Sequence, residues 1–329
     1  MKIVSSIALF IALITSVQMT VGAENVIRLF PVQQDGKWGY IDAMGSIVID
    51  PKYKFAAVFS EGLASVSLGD KFGYIDADGK KVIKPQYYSA GDFSEGLAIV
   101  TSGITDPPCY IDKTGKVIIP ARFDEVWPFV EGRARIRIGK KYGFIDKNGN
   151  TVIEPNYEYA SDFSEGMAVV GLDKNNKKMQ FIDKNGKVVI DGFSNCGRFS
   201  EGLASVEYDG DTGFIDNTGK IVIRPIYDGA APFSGGYAAI LEEKRWGFID
   251  KAGKMVVGVQ FDRVGGFSAG LAPVCKKGKY AFVNPEGTLA IGFLFDDASG
   301  FVDGLARVRA GSKDLYIDKT GQHVFEFTK

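Results

Sequence analysis

The residues able to do chemistry are few in kind and regular in placement. One histidine, His323, stands near the C-terminus, and no local motif supplies it with the partners of a Ser-His-Asp hydrolase or a histidine-ligated zinc site. Carboxylates recur in one setting, Asp-x-x-Gly, as in Asp76-Ala77-Asp78-Gly79 and Asp183-Lys184-Asn185-Gly186. These share a fragment of a calcium loop, yet they lack the third ligand and the bidentate glutamate at the twelfth place, and a lysine follows instead. A glycosidase needs two carboxylates in unlike surroundings rather than a series in similar ones. The cysteines Cys109, Cys196 and Cys275 are odd in number and unrelated in position, which describes separate thiols and not a disulfide framework. The expectation is a protein without catalytic residues, metal or cofactor.

The remaining chemistry is charge. With 39 basic and 40 acidic residues the chain is too balanced for a general nucleic-acid binder. Cations nevertheless gather locally. In RARIRI, alternation sets Arg133, Arg135 and Arg137 opposite Ala134, Ile136 and Ile138, and Lys140 and Lys141 follow at a turn. Lys177, Lys178, Lys244, Arg245, Lys276, Lys277 and Lys279 occupy the corresponding connection elsewhere. These residues are the candidate binding site, a basic ridge for an anionic envelope polymer or an acidic protein face. The competing account is that turn lysines protect exposed edge strands from pairing.

The elements that carry these residues repeat. FSEGLA at Phe59–Ala64 returns unchanged at Phe199–Ala204 and as FSEGMA at Phe163–Ala168, with variants starting at Phe93, Phe129, Phe233, Phe267 and Phe301. A second block, Gly39-Tyr40-Ile41-Asp42, recurs beside it, and most of the starts lie 34 residues apart. An aromatic precedes each phenylalanine by six residues, whereas length varies where TSGITDPP and GLDKNNKKM occur. Variation confined to one connection places the irregular loops on one edge of an array. Within a unit, LASVSL, KFGYID and KVIK are short, β-branched or aromatic segments, which describes a three-stranded antiparallel meander. Asp-x-x-Gly suits the turn between the second and third strands. Ala64 and Val66 and their counterparts mark a buried face, with Phe199 a core anchor and Glu201 at a surface corner.

The first residues, MKIVSSIALFIALITSVQMTVGAE, combine Lys2, an apolar run and a Val-Gly-Ala ending. This is the pattern of a secretory signal peptide over residues 1–23, leaving 24–329 as a single repeat array exported to the periplasm or beyond, with no membrane span after cleavage.

The stretch GKWGYIDAMGSIVIDPKYKFAAVFSEGLASV (Gly36–Val66) and its copies resemble the WG, or KWG, repeat proteins of bacteria, with the dipeptide kept at Trp38-Gly39 and Trp246-Gly247. The resemblance implies an all-β repeat array, no catalytic residues, and a role in interaction. About nine units without an obvious split unit exceed the usual four to eight blades of a propeller. The expected fold is therefore an open, curved or superhelical array, with a closed, propeller-like array as the alternative. The expected function is an exported, non-catalytic binding or protein-interaction scaffold. Its alternative is a cell-envelope polysaccharide or anionic-polymer binding module, for which Trp38, Trp127 and Trp246 would be exposed contacts.

Overall fold

The structure is a computed structural model and describes residues 28–173 and 178–328. It holds nine antiparallel sheets, here called blades one to nine in chain order. Blade two shows the plan. A lead strand of two residues, Phe55–Ala56, is followed by a corner at Phe59-Ser60-Glu61-Gly62 and by long strands Ala64–Ser67, Phe72–Ile75 and Lys81–Tyr87, paired in that order. Blade one, Phe30–Gln34, Lys37–Ile41 and Ile47–Tyr53, has no lead strand among the described residues. Elsewhere the lead strand adds a fourth member to the expected meander, because two residues carry no alternation to read.

The corner is a tight hairpin. Ser60 N–H donates to the Leu63 carbonyl at 2.9 Å and Leu63 N–H returns to Ser60 at 3.1 Å, while Glu61 (φ 51°) and Gly62 (φ 85°) are both left-handed. Two such residues make a type I′ turn, which suits glycine and not glutamate. A residue kept against its backbone preference has another task, described below.

The Asp-x-x-Gly segments are turns as expected. Asp76 Oδ1 accepts from Lys80 N–H at 2.9 Å, and Gly79 takes φ 75°. The glycine of the Trp-Gly block serves a close approach. A Cβ on Gly73 would lie 2.4 Å from the Ile83 carbonyl oxygen and 2.7 Å from the Pro85 nitrogen, where the third strand bulges across it. Where Leu315 replaces that glycine, the third strand runs in step instead, with Leu315 opposite Glu326 and Tyr316 opposite Phe325.

The apolar residues form nine cores, one between each pair of neighbouring blades. Tyr40 and Ile49 of blade one pack against Ala64, Val66 and Ile75 of blade two, and the same set recurs at each step along the chain. The ninth core joins the ends: Phe30, Val32 and Ile41 of blade one meet Leu305 and Phe325 of blade nine. Thr328 N–H also donates to the Gln33 carbonyl at 3.0 Å. The array is therefore a closed nine-bladed ring, which corrects the expected open array in favour of the propeller-like alternative. The physical reason is that an open end would expose a sheet face as apolar as any interior one.

Corners and Asp-x-x-Gly turns lie at one end of the blades. The connections of variable length lie at the other. No helix among the described residues is long and apolar enough to cross a membrane.

Candidate functional site

A sheet in this ring has both faces covered, and that decides where the expected ridge residues go. The face opposite Ala134 and Ile136 points away from one core and into the next joint. Arg135 is accordingly enclosed: its guanidinium lies 4.1 Å from the Trp127 ring centroid and 3.3 Å from the Asp162 carboxylate, with a side chain 15 % exposed. It also donates to the Ala160 carbonyl of blade five. Arg133 lies at the corner end and donates to the Lys184 carbonyl at 3.1 Å, and Arg137 pairs with Glu125 of its own sheet. Arg133 and Arg137 are thus partnered at the two ends of the strand, and Arg135 is enclosed between blades.

At the variable end, Lys141, Arg245 and Lys279 pair with Glu158, Asp262 and Asp296, which open the next blade in each case. Lys276 donates to Gln260. Lys140, Lys178, Lys244 and Lys277 are exposed, and Lys177 lies outside the described residues. Trp38 and Trp246 are half-buried against neighbouring cores, and Trp127 is covered by Arg135. His323 is exposed on the last strand. No group of three or more His, Cys, Asp or Glu residues suited to a metal occurs among the described residues. The three cysteines are free thiols, and burial pushes Cys196 up to about 12, leaving it unreactive.

The corner residues join the blades to each other. Ser60 Oγ donates to the carbonyl of Phe93, the next corner, at 2.6 Å, and Ser94, Ser164, Ser200, Ser234 and Ser268 repeat the bond. The glutamate makes a clamp. Glu61 accepts from Gly96 N–H of blade three at 3.0 Å and pairs with Lys113 of the same blade at 3.2 Å. Glu95, Glu131 and Glu201 do likewise with Lys147, Lys184 and Lys251. Glu201 thus keeps its place at a corner, with a side chain 31 % exposed, and joins two blades there. A hint stood in the sequence, since each of these lysines follows the turn aspartate of the next unit.

The clamp changes at the seam between blades nine and one. Arg28 stands in the place of the corner glycine, and Asp303, the counterpart of the glutamates, pairs with it. No corner precedes blade one among the described residues, and several side chains respond. Phe30 replaces the alanine found at Ala64 and its counterparts and sets its ring against Tyr316 at 5.7 Å. Phe59 is only half-buried, whereas Phe93 is 1 % exposed. Val302, at a serine position, is 63 % exposed. Between them lies a cleft of about 680 Å³, walled mainly by Leu29, Pro31, Val58, Phe59, Val302 and Leu305. This is the candidate site. It went unseen in the sequence because it arises where the units depart from their pattern, at Arg28, Phe30 and Val302, not where they recur.

Comparison with known proteins bears on the fold. Residues 38–72, 72–103, 110–142, 142–177, 181–210, 213–245, 246–280 and 281–313 match the family described as WG containing repeat. No curated protein matches the chain. Among solved structures, a eukaryotic initiation factor is similar with a TM-score of 0.65 at 10 % identity, over 91 % of this chain and 96 % of that one. BamB from Moraxella catarrhalis gives a TM-score of 0.44 at 12 % identity, covering 80 % and 90 %. Virginiamycin B lyase from Staphylococcus aureus gives 0.35 at 14 %, covering 71 % and 92 %. The first likeness is one of fold.

Proposed function

We propose that this chain, which belongs to the family of WG-containing repeat proteins, is an exported, non-catalytic ring that binds a polypeptide partner. One observation carries the reading. The repeated polar side chains are spent on turns and blade joints, while the seam between blades nine and one presents a concave apolar surface. Concave, mostly apolar sites with a few polar groups are where binding concentrates. Export rests on the leader pattern of residues 1–23, which lie outside the described residues.

The envelope-polymer alternative drew on a basic ridge and on exposed tryptophans. The pairing of Arg135, Arg137, Lys141, Arg245 and Lys279 with carboxylates favours the polypeptide reading over it. The experiment is titration of the protein against purified envelope protein and polysaccharide fractions at low and high salt. Saturable binding of a protein fraction, unchanged in composition afterwards, is the expected result. Salt-sensitive binding confined to the polysaccharide would favour the polymer reading, and turnover of either fraction would overturn a non-catalytic role.

A further inference from the structure

We propose that a pocket between blades six and seven, at the variable end, receives a guanidinium group: the side chain of an arginine on a partner polypeptide. The class of partner rests on the binding role above, whereas the pocket is argued from its own residues and lies away from the seam.

At other joints the chain fills this place itself. Between blades four and five it holds Trp127, Arg135 and Tyr142, with the guanidinium 4.1 Å from the Trp127 ring centroid, 5.7 Å from that of Tyr142, and donating to the Ala160 carbonyl. Between blades nine and one, Arg307 takes the place of Arg135, 3.8 Å from the Asp314 carboxylate and 4.6 Å from the Phe327 ring. Between blades six and seven the counterparts of Trp127, Arg135 and Tyr142 are Gly197, Ser205 and Thr212. Three small residues in place of three large ones leave a pocket of about 180 Å³, with Ala230 standing where Ala160 does. Ser205 is 8 % exposed, and its Oγ lies over Gly197 on the pocket wall, where a Cβ on the glycine would meet it at 2.3 Å. That hydroxyl has no hydrogen-bond partner among the described residues. A polar group so enclosed is costly until something bonds to it.

The charge of the place is inverted as well. At three joints a cation pairs with the carboxylate that opens the next blade: Lys141 with Glu158, Arg245 with Asp262 and Lys279 with Asp296. Blade six carries Asp211 at the cation's position. The carboxylate of Asp228 is left with the N–H of Glu243 at 2.8 Å, and that of Glu207 with the Ser194 hydroxyl at 3.3 Å. None of Glu207, Asp211 and Asp228 has an ion pair among the described residues. They do not converge as metal ligands would, since no group of three such residues suited to a metal occurs among the described residues. Acceptors spread around a slot suit a planar cation with five N–H donors in a fixed fork better than the point charge of an ammonium.

The probe is a capped peptide, Gly-Arg-Gly, titrated into isotope-labelled protein beginning at Glu24 and followed by amide chemical shifts. Saturable shifts centred on Ser205, Thr212 and Ala230 are expected. The same peptide with citrulline, which keeps the shape without the charge, should bind at least about tenfold more weakly, and the lysine peptide should also be weaker. Asp211→Lys supplies the cation found at the other joints, and Thr212→Tyr fills the pocket as Tyr142 does; each should weaken the arginine peptide at least about tenfold. A thermal midpoint of Asp211→Lys at or above the parent's checks folding, because Asp211 is exposed. Absence of saturation, shifts centred on another joint, equal binding of the citrulline or lysine peptide, or unchanged binding by Asp211→Lys overturns the proposal. If the arginine peptide binds and no envelope protein does, the pocket stands and the polypeptide reading falls. If envelope protein binds and the arginine peptide does not, that reading stands and the pocket falls.

Discussion

Glu201 Oε2 lies 3.0 Å from the amide nitrogen of Gly236 and 3.2 Å from Lys251 Nζ, so one carboxylate holds two parts of the following blade. The backbone at Glu201 takes φ 55°, a conformation that alanine resists as much as glutamate does. Glu201→Ala therefore isolates the clamp, and it should lower stability by about 1–2 kcal/mol, the range of a charge-assisted hydrogen bond partly open to solvent. Chemical denaturation of the two proteins measures it. Phe199→Ala, two residues away in the core, should cost about 3–5 kcal/mol. A larger effect at Glu201 than at Phe199 would make the clamp, not the core, the main bond between blades.

The clamp is missing at Ala269, which keeps the left-handed backbone of its counterparts at φ 53°. Its two would-be partners remain: Gly304 in the next corner, and Lys319, which has no ion pair among the described residues. Ala269→Glu should restore the clamp between blades eight and nine and raise stability by about 0.5–1.5 kcal/mol. A thermal midpoint at or below that of the parent would show that the missing clamp is not what limits this joint.

Arg135→Gln should destabilise rather than merely reduce charge. It removes the cation from the Trp127 ring and leaves Asp162, with a side chain 25 % exposed, facing only Arg198 at 4.0 Å. A loss of about 1–3 kcal/mol is expected from the stranded carboxylate and the lost stacking. Lys140→Gln, at an exposed turn, should change little. Urea midpoints for both variants give the comparison, and equal midpoints would return Arg135 to the surface.

Acid should loosen the joints. Burial alone raises the Glu61 and Glu131 carboxyls, but bonds from Lys113 and Lys184 and from the next glycine N–H outweigh it and hold both below the ordinary value of 4.5. Asp112 and Asp216 are held low too, first by the hydroxyls of Thr114 and Thr218. A depressed folded value means that the unfolded chain takes up protons first as pH falls. The stabilisation is complete above about pH 4.5 and is lost as pH drops through the folded values. Thermal midpoints followed from about pH 6 to about pH 3 should fall, and a Glu61→Gln, Glu131→Gln double variant should fall less steeply. Parallel profiles would remove the clamps from the acid response.

Much of this fold was legible because it is periodic. The fixed interval from Tyr53 to Phe59, repeated along the chain, recorded two residues of one core on adjacent blades, although it did not say that the core lay between sheets. The alternation of Ala134 and Ile136 was equally plain. What it implied for Arg135 was not, since alternation separates two faces without stating whether the second meets water or another blade. Closure was illegible for a different reason: it is the sum of small turns from blade to blade, visible only in single departures such as Phe30 in place of alanine and Arg28 facing Asp303. The candidate cleft belongs to the same departures. Recurring cations could not mark a site that lies where one unit departs from the others.

The hydrogen bonds of Thr328 set an order in time. Its hydroxyl accepts from Asp35 N–H across 293 residues of chain at 3.2 Å, beside the bond from Thr328 N–H to Gln33. Blades two to nine can each dock on a neighbour made moments before, while the outer face of blade one must wait for blade nine. Contacts so distant in sequence form slowly, because the chain's ends must first be brought together. During synthesis the protein is thus a growing arc with the outer sheet face of blade one uncovered. Phe325 and Thr328 act as the latch that ends that vulnerable period.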